Sequence, residues 1–525
     1  MVDILDLFKR RKIETTRQAP CTLENDIVDL TSDTDEEITV QVANAEEEQQ
    51  QQQQQQQQIH PKPDIIEIET EIDTETVCCP VCLVDISKLN LEFRESHVEL
   101  CLLQPSESSY VYQSSTSPKK TKSTQTKEEK PKKPKRPKKP LPDFKIITLE
   151  PHKVIVDGFC YADGPSDKYF LSHFHSDHYG GLTKNWSQGT IYCSKITADL
   201  ARKMFNMPEE RFVVIPLNVR TPITDDFHVT LYEANHCPGA VIFLFETPLK
   251  KVLHTGDFRV SKAIINQFKD IYIDEIYLDT TYLNPQYSFY DQRLVIDSTV
   301  NFIKDIVINT KQPKGILDFV TGGSGGYVIL VGSYSIGKEK IYLDIARALN
   351  TKIFVTARRY ETLKLSGMDM SLFEKDKEEG CAVYVVNFNM LSDKAWLKRF
   401  AKRHIIKVRP TGWSFTRMKK IVSADGDYDD DQGDYYMNTV AKVLSRTLKR
   451  ENFEDQLKSQ WERGNILAVP YSEHSSFKEL TMFSSILKWG KIIPTVSVEN
   501  QEFPKWFEAW EKTDVSFDVV DQHYH

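Results

Sequence analysis

The sequence predicts an α/β fold of layered sheets and helices that begins near Asp143 and extends towards the C-terminus. Short runs rich in β-branched and aromatic residues, such as KVIVDGF, KYFLSHF, TIYCS and AVIFLFE, alternate with loops and are typical of strands. Helical stretches such as KITADLARKMF lie between these runs. Strands and helices that interleave in this way are typical of an α/β layered sandwich.

The composition is that of an ordinary soluble protein, with 40% hydrophobic and 27% charged residues. The chain has no run of about 18 apolar residues and no hydrophobic leader, so we predict neither a membrane span nor secretion. Nine cysteines in 525 residues are too few for a disulfide scaffold. They indicate a reducing compartment, in which clustered cysteines bind metal.

Residues 1–75 are polar and acidic, contain an unbroken glutamine run from Gln49 to Gln58, and are predicted to be disordered. Within them, DIVDLTSDTDEE places Ile27, Val28 and Leu30 before a run of acids. Such a segment can add a strand to the edge of a sheet, with its acids against a basic rim. It resembles a SUMO-interacting motif, and the alternative is a chance apolar patch in an acidic tail.

Residues 76–103 contain four candidate zinc ligands. Cys79 and Cys82 are separated by two residues, and His97 and Cys101 by three, which suits ligands one helical turn apart. Together they can close a tetrahedral structural zinc site, which a segment this small needs in order to fold. The segment resembles the small ubiquitin-binding zinc fingers of DNA-repair proteins, and that resemblance implies ubiquitin as a partner.

Residues 104–142 are predicted to be an extended, solvated linker, because a block of lysine and proline cannot form a core. From Ser117 to Pro140 this linker has eleven lysine or arginine residues and two glutamates, although the whole chain has a net charge of −9. KKPKRPKK has the composition of a nuclear localisation signal or of a phosphate-contacting patch, which predicts a nuclear protein. The alternative is a merely solvated charge run.

The stretch YFLSHFHSDHYGGL carries His173, His175, Asp177 and His178 between an apolar strand and a glycine pair. Three histidines and an aspartate in six positions are explained best by a divalent metal ion, since neutral imidazoles and a carboxylate suit zinc. Other candidate ligands also follow predicted strands, namely His236 in EANHCPGAV, Asp257 in VLHTGDFR and His474 in VPYSEHSS. We therefore expect one sheet to deliver all of these side chains to a shared edge.

These motifs resemble those of the metallo-β-lactamase superfamily. HFHSDHYGGL, ANHCPGAV, HTGDFR, LDTTY, YSIGKEK, RPTGW and PYSEHSS, in this order, further resemble the β-CASP nucleases, and within them the cross-link repair 5′ exonucleases. The resemblance spans roughly Val154 to Val498. It implies a metallo-β-lactamase αββα sandwich over residues 143–284 and 456–525, with a β-CASP domain inserted over residues 285–455.

The resemblance also implies a set of ligands. One metal ion would be held by His173, His175 and His236, a second by Asp177, His178 and His474, with Asp257 bridging them and with Asp157 and Asp279 supporting the ligands. The ions are one or two zinc, with magnesium or manganese as the alternative at the second site. Such ions lower the pKa of water and neutralise a scissile phosphate. Asp177 would orient the attacking water, and His474 would stabilise the leaving oxygen; these two, Asp257 and Asp279 are the predicted catalytic residues.

Two further motifs and one serine are candidates for contacting DNA phosphates. In GSYSIGKEK the candidates are Ser335, Gly337, Lys338 and Lys340, in RPTGW they are Arg409, Thr411 and Gly412, and in PYSEHSS the candidate is Ser475. The first motif precedes a predicted helix, whose N-terminal N–H groups favour phosphate. The alternative is a glycine turn with exposed lysines.

We therefore predict a nuclear, metal-dependent DNA 5′→3′ exonuclease that acts in the repair of cross-links. RNA-processing relatives have a histidine where this chain offers Val496 or Val498, which favours DNA over RNA. The alternatives are a hairpin-opening DNA endonuclease, an RNA endonuclease of the same fold, a small-molecule hydrolase and a non-catalytic scaffold.

Overall fold

The computed structural model describes residues 138–524 except 163, 288, 311–325, 413–431 and 465. The predicted acidic tail, the SUMO-interacting motif, the zinc finger and most of the basic linker lie outside the described residues. Within the described part, every helix is too short or too polar to cross a membrane.

The strands lie in three sheets. In chain order they are β1 (Ile146–Leu149), β2 (His152–Val156), β3 (Lys168–Phe170), β4 (Thr190–Cys193), β5 (Phe212–Val214), β6 (Thr221–Pro222), β7 (His228–Glu233), β8 (Val241–Glu246), β9 (Lys251–His254), β10 (Tyr272–Leu278), β11 (Tyr327–Gly332), β12 (Lys352–Phe354), β13 (Phe373–Glu374), β14 (Cys381–Val386), β15 (His404–Pro410), β16 (Ile466–Val469) and β17 (Lys488–Pro494).

The helices surround these sheets. In chain order they are α1 (Ser176–Tyr179), α2 (Lys195–Phe205), α3 (Lys262–Phe268), α4 (Gln292–Thr310), α5 (Glu339–Ala348), α6 (Ala357–Leu365), α7 (Lys394–Leu397), α8 (Gln432–Ser445), α9 (Arg450–Gly464), α10 (Phe477–Ile486), α11 (Phe503–Glu511) and α12 (Phe517–His523). The predicted helix KITADLARKMF is α2, which Ser194 caps by accepting a hydrogen bond from Thr197 N–H.

Two sheets face each other in what we call the first lobe. Their strand orders are β1-β2-β3-β4-β5 and β17-β10-β9-β8-β7-β6. The core between them is aromatic, because Phe170 of β3 meets Phe243 and Phe245 of β8 edge to face, with ring centroids 5.4 and 4.9 Å apart. Burial alternates along β1 and β4, so that Ile147 of β1 lies in this core whereas Ile191 of β4 lies in the cluster that helices cover.

Helices cover the outer faces of both sheets. Leu200 of α2 packs in one buried cluster with Ile191 of β4, and Ile265 of α3 and Trp510 of α11 lie in the same cluster as Leu253 of β9. The predicted αββα sandwich is therefore confirmed. Its layers form because the inner strands β2, β3 and β8 have buried apolar side chains on both faces, so that neither face of these strands can remain in water.

A third sheet, which with its helices we call the third-sheet lobe, is inserted between β10 and α10. Its order is β13-β12-β14-β11-β15-β16, and all of its described pairings are parallel. Ile329 of β11 and Ile345 of α5 share its core. This lobe is the predicted β-CASP insertion.

The third sheet continues beyond the predicted domain boundary at residue 455. That boundary falls inside α9, and β16 pairs with β15 through Val408 opposite Leu467. The third sheet therefore ends after Val469, beyond the predicted boundary, whereas α8 already packs in the first-lobe core through Tyr436 and Val440. A short apolar strand such as ILAV has the same local pattern in either sheet, so only its long-range pairing decides the boundary.

We predict that Phe243→Ala lowers the free energy of unfolding by about 3–5 kcal/mol, because it empties the aromatic core between the two facing sheets. Urea unfolding followed by tryptophan fluorescence measures this change. Leu249→Ala is the control, since Leu249 is 86% exposed and its truncation should change stability by less than about 0.5 kcal/mol. Equal losses for the two variants would contradict the assignment of the core.

Candidate metal centre

The predicted ligands come together at strand ends, with Asp177 and His178 in α1, but the strands belong to three different sheets and not to the one sheet that the sequence predicted. His173 and His175 follow β3, and His175 immediately precedes α1. His236 follows β7, Asp257 follows β9, and His474 follows β16. Because these strand ends meet, the fold brings together side chains from distant parts of the sequence.

Two close approaches hold the loops against each other. The N–H of Val241 donates to the carbonyl of Ser172 at 3.0 Å. Gly256 has a φ of 54°, and a Cβ atom at this position would lie 2.9 Å from the Cβ of Ser172. A side chain at Gly256 would therefore push apart the loops that carry His173 and Asp257.

Three histidines form the tightest group of donors. The Nδ1 atom of His175 lies 2.9 Å from Nε2 of His173 and 3.0 Å from Nε2 of His236. With an oxygen of Asp257, these nitrogens all lie within 4.8 Å of one another. Three imidazole nitrogens at this spacing can hold one divalent ion.

The Asp257 carboxylate lies among four histidines. Its Oδ2 atom is 3.2 Å from His178 Nε2, 3.7 Å from His173 Nε2, 3.8 Å from His236 Nε2 and 3.9 Å from His474 Nε2. Asp257 also belongs to two other groups of donors, one with Asp177 and His178 and one with Asp279 and His474. Asp257 therefore occupies the position from which a carboxylate can bridge two ions.

The second ring nitrogen of each histidine has its own partner. These contacts are His173 Nδ1 to Ser172 Oγ at 3.0 Å, His178 Nδ1 to Asp157 Oδ2 at 2.7 Å, His474 Nδ1 to Asp279 Oδ2 at 2.9 Å, His236 Nδ1 to the Glu473 carbonyl at 2.8 Å and His175 Nε2 to the Ile336 carbonyl at 3.3 Å. Carboxylates and carbonyls accept, so the partnered nitrogen carries the proton in each ring. The Ser172 hydroxyl donates its proton to Asp157 Oδ2, so its oxygen accepts the hydrogen bond from His173 Nδ1.

The residues fit divalent metal ions. In the neutral form of each of these histidines, the nitrogen that faces the centre is the one left with a lone pair. Five such lone pairs around one carboxylate repel each other unless a cation lies between them. Imidazole with carboxylate is the donor set of zinc and similar metals.

Burial and charge shift the pKa values of the centre in opposite directions. Burial holds the pKa of His173 well below the usual histidine range. Burial also opposes protonation of His474, but the carboxylates of Asp279 and Asp257 outweigh it and raise its pKa to about 9. In the same way, Asp257 and its neighbouring carboxylates outweigh burial at His178 and raise its pKa well above the usual range. The part of the centre near Asp257 and Asp279 therefore stabilises a positive charge.

A buried ion pair braces the loops that carry Asp257 and His474. Arg259 Nε and Nη2 lie 3.0 and 2.9 Å from Glu479 Oε1, and Arg259 Nη1 donates to the carbonyl of Ser472 at 2.7 Å. Burial opposes ionisation of Glu479, but Arg259 outweighs it and lowers its pKa to about 2. Both groups are therefore charged, and charge-assisted hydrogen bonds fix one loop against the other.

The candidates in the loop before α5 and in its first turn lie beside the centre, but the side chains of the two lysines already have protein partners. Lys338 is buried, with its Nζ 3.0 Å from Glu473 Oε2. Lys340 Nζ donates to Asn235 Oδ1 at 2.7 Å and to Gln292 Oε1 at 3.0 Å. Ser335 and Gly337 lie in the same half-buried loop. These contacts give Lys338 an ion pair within the protein where the sequence predicted a phosphate contact.

Ser475 and Arg409 differ in whether their side chains already have hydrogen-bond partners within the described part of the protein. Ser475 is buried, donates through Oγ to the carbonyl of Phe258 at 2.9 Å and accepts from the N–H of Val260. Ser475 therefore joins two protein loops, whereas the sequence predicted that it contacts a phosphate. Arg409, in contrast, is half-buried on β15, and its Nε has no hydrogen-bond partner among the described residues.

The end of β15 approaches the centre through an aromatic ring. Thr411 is buried, and its N–H donates to the carbonyl of Val469 at 3.0 Å. A Cβ atom on Gly412 would lie 2.2 Å from the hydroxyl oxygen of Tyr282. The Tyr282 ring is 6.0 Å from the His474 ring, centroid to centroid. The RPTGW motif thus ends near the metal ligands, where only glycine leaves enough space.

The sequence did not indicate Ser172, Arg259, Glu473 or Glu479. Glu473 stands next to His474 in PYSEHSS, and Arg259 stands two positions after Asp257 in HTGDFR. A charged residue within two positions of a candidate ligand was therefore the available signal. Carbonyl groups carry no such signal, and only the fold identifies them as partners of the ligands.

We predict that Asp279→Asn lowers metal affinity by about 10- to 100-fold, because it removes the charge that orients His474 through Nδ1. Competition of the protein with a chromogenic chelator for zinc measures this affinity. Asp226→Asn is a matched control, since Asp226 makes the same kind of contact with His152 at 2.8 Å on the surface. An affinity equal to that of the control would contradict the role of Asp279.

Comparison with known proteins agrees with this geometry. The profile of the family described as "DNA repair metallo-beta-lactamase" matches residues 369–500, and that of the metallo-beta-lactamase superfamily matches residues 167–280.

Three relatives show the extent of the likeness. The chain is 31% identical to "DNA cross-link repair protein PSO2/SNM1" of Saccharomyces cerevisiae, over 85% of this chain and 78% of that protein. It is 31% identical to the pso2/snm1 protein of Schizosaccharomyces pombe, over 86% and 80% of the two chains. It is 29% identical to "5' exonuclease Apollo" of Danio rerio, over 62% and 48%. The chain therefore belongs to the DNA cross-link repair family of metallo-β-lactamase proteins.

Proposed function

We propose that this protein is a metal-dependent DNA 5′ exonuclease that acts in cross-link repair. The observation that carries the proposal is the convergence of five imidazole nitrogens on the Asp257 carboxylate. The names of the two fungal relatives and of the zebrafish exonuclease support the substrate and the reaction.

We assign the ligands as the sequence predicted. His173, His175 and His236 would hold one ion and Asp177, His178 and His474 a second, with Asp257 between them; Asp257 belongs to all three groups of donors, whereas His474 groups with Asp279 rather than with Asp177 and His178. We propose zinc for the first ion, because three neutral imidazoles suit it. Zinc, magnesium or manganese can serve as the second ion, whose ligands include more carboxylate.

The metal ions supply Lewis acidity, which lowers the pKa of water and neutralises charge on a phosphodiester. The Asp177 side chain is 45% exposed, whereas that of Asp257 is 11% exposed. Asp177 therefore faces solvent, where it can orient the attacking water and accept its proton. Asp279 fixes the ring of His474 through Nδ1, and His474 stabilises the charge that develops on the leaving oxygen.

DNA is the proposed substrate rather than RNA. Of the two candidate valines, Val496 is the one whose carbonyl accepts from the Thr280 hydroxyl at 2.6 Å, next to Asp279. The resemblance places a histidine at Val496 or Val498 in RNA-processing relatives. The RPTGW motif is the proposed contact to the DNA backbone, because it lies at and just after the end of β15, where the chain approaches His474 through Tyr282.

We predict that the protein shortens a single DNA strand progressively from a 5′-phosphate and acts more slowly on a 5′-hydroxyl or a blocked end. Denaturing electrophoresis of strands labelled at the 3′ end measures this. Chelation and Asp257→Asn should each abolish the activity, because both remove the bridged ions, whereas Asp226→Asn should retain it. Internal cuts that do not depend on the 5′ end would favour the hairpin-opening endonuclease.

For the N-terminal region, we propose a structural zinc site at Cys79, Cys82, His97 and Cys101 that binds ubiquitin. We also propose that Ile27–Leu30 binds SUMO, and that the basic linker directs the protein to the nucleus. The ligand spacing and the composition of these segments support these proposals.

We predict that the full chain binds ubiquitin and that Cys79→Ala abolishes this binding, because a four-ligand zinc site of this size does not fold with three ligands. Titration of labelled ubiquitin with each protein, followed by fluorescence anisotropy, measures it. Cys160→Ala is the control, since Cys160 is an exposed thiol in the first lobe. Equal binding by wild-type and Cys79→Ala proteins would exclude the finger as the ubiquitin site.

A further inference from the structure

The loop of residues 334–338, between β11 and α5, belongs to the third-sheet lobe but reaches a ligand of the first lobe. The carbonyl of Ile336 lies 3.3 Å from His175 Nε2. It accepts the proton of that nitrogen, which leaves His175 Nδ1 to face the centre. The orientation of one candidate ligand therefore depends on backbone from the other lobe.

A second contact joins the same loop to His236 through Glu473. The carbonyl of Glu473 accepts from His236 Nδ1 at 2.8 Å. Its carboxylate accepts from the backbone N–H of Lys338 at 2.7 Å and from Lys338 Nζ at 3.0 Å. The side chains of Lys338 and Glu473 are 8% and 5% exposed, so water cannot readily replace either partner.

The backbone of the loop is shaped for this contact. Lys338 is in the left-handed region with a φ of 67°, and Gly337 has a φ of 99°. A Cβ atom on Gly337 would lie 2.9 Å from Glu473 Oε2, so only glycine lets the carboxylate approach. Gly337 N–H also donates to Glu339 Oε1 at 2.7 Å, which fixes the turn at the start of α5.

We propose that Lys338 and Glu473 form an interlobe latch that positions His175 and His236 for metal binding. The latch comprises the Lys338–Glu473 ion pair, the Glu473 carbonyl on His236 and the Ile336 carbonyl on His175. The inference rests on the proposed metal site, and it makes Lys338 and Glu473 positioning residues. Two of the three ligands of the first ion then acquire their orientation only when the lobes are closed on each other.

Coupling of this kind is reciprocal. If closure of the latch raises metal affinity, bound metal must stabilise the closed latch by the same factor. DNA that contacts both lobes would then also raise metal affinity. The sequence-based expectation for Lys338, a direct phosphate contact, makes a different prediction, because it leaves metal affinity unchanged and weakens DNA binding.

The first test measures zinc affinity by chelator competition, without DNA, so it does not depend on the proposed nuclease activity. We expect Lys338→Met and Glu473→Ala each to weaken zinc binding by about 10- to 100-fold, as loss of an outer partner of a ligand does. Glu473→Gln, which keeps an acceptor for the Lys338 N–H, should weaken it less. The double variant should be no weaker than Glu473→Ala, because Lys338 acts through Glu473.

The control is Lys352→Met, which removes an exposed lysine that pairs with Glu374 in the same lobe. It should bind zinc as the wild type does, and thermal unfolding of all variants in excess zinc shows which of them fold. Zinc affinities of Lys338→Met and Glu473→Ala within twofold of this control would overturn the proposal, as would strictly additive losses in the double variant.

A second test uses the wild-type protein and avoids any loss of folding. Amide hydrogen exchange is measured by mass spectrometry with zinc and after chelation. Removal of zinc should speed exchange in residues 334–340 and leave β12, on the far side of the same sheet, unchanged. Equal exchange of residues 334–340 in both states would overturn the latch even if the site binds zinc and the protein degrades DNA.

Discussion

The buried carboxylate of Asp257 is the constraint around which the whole centre is organised. Four histidine Nε2 atoms lie between 3.2 and 3.9 Å from its Oδ2, and Asp257, His173 and His236 are buried. A cation resolves the conflict, since imidazole lone pairs and a carboxylate all bind it. The fold holds these groups close together at a cost in free energy, and metal binding offsets that cost, as expected where a site is preorganised for chemistry.

Backbone groups and side chains around the centre orient the candidate ligands; contacts among the ligands do not. Ser172 and Asp157 fix two rings on the β3 side, and Asp279 fixes His474. The buried pair of Arg259 with Glu479 then holds the returning loop against the β9 loop. Each of these contacts joins only two segments of the chain, but together they connect the strand ends on which the centre depends.

The candidate ligands of the His173 loop could be predicted from the sequence because their spacing is local, whereas the resemblance joined His236, Asp257 and His474 to them. His173 and His175 alternate after an apolar strand, and the glycines and acids around Asp257 and His474 follow a recognisable order. The strand pattern also predicted the sandwich, since alternating burial follows from the period of a strand. The boundary of the insertion was predicted wrongly because β16 has no local feature that distinguishes one sheet from another.

The sequence by itself determined the ligand types, the α/β layers and the presence of a large insertion, because each of these follows from residue chemistry and short-range periodicity. Only the tertiary structure decided which nitrogen of each histidine faces the centre, since that depends on partners such as the Ile336 and Glu473 carbonyls. It also decided that Lys338 pairs with Glu473. A buried charge takes the nearest partner that the fold supplies, and no sequence motif specifies that distance.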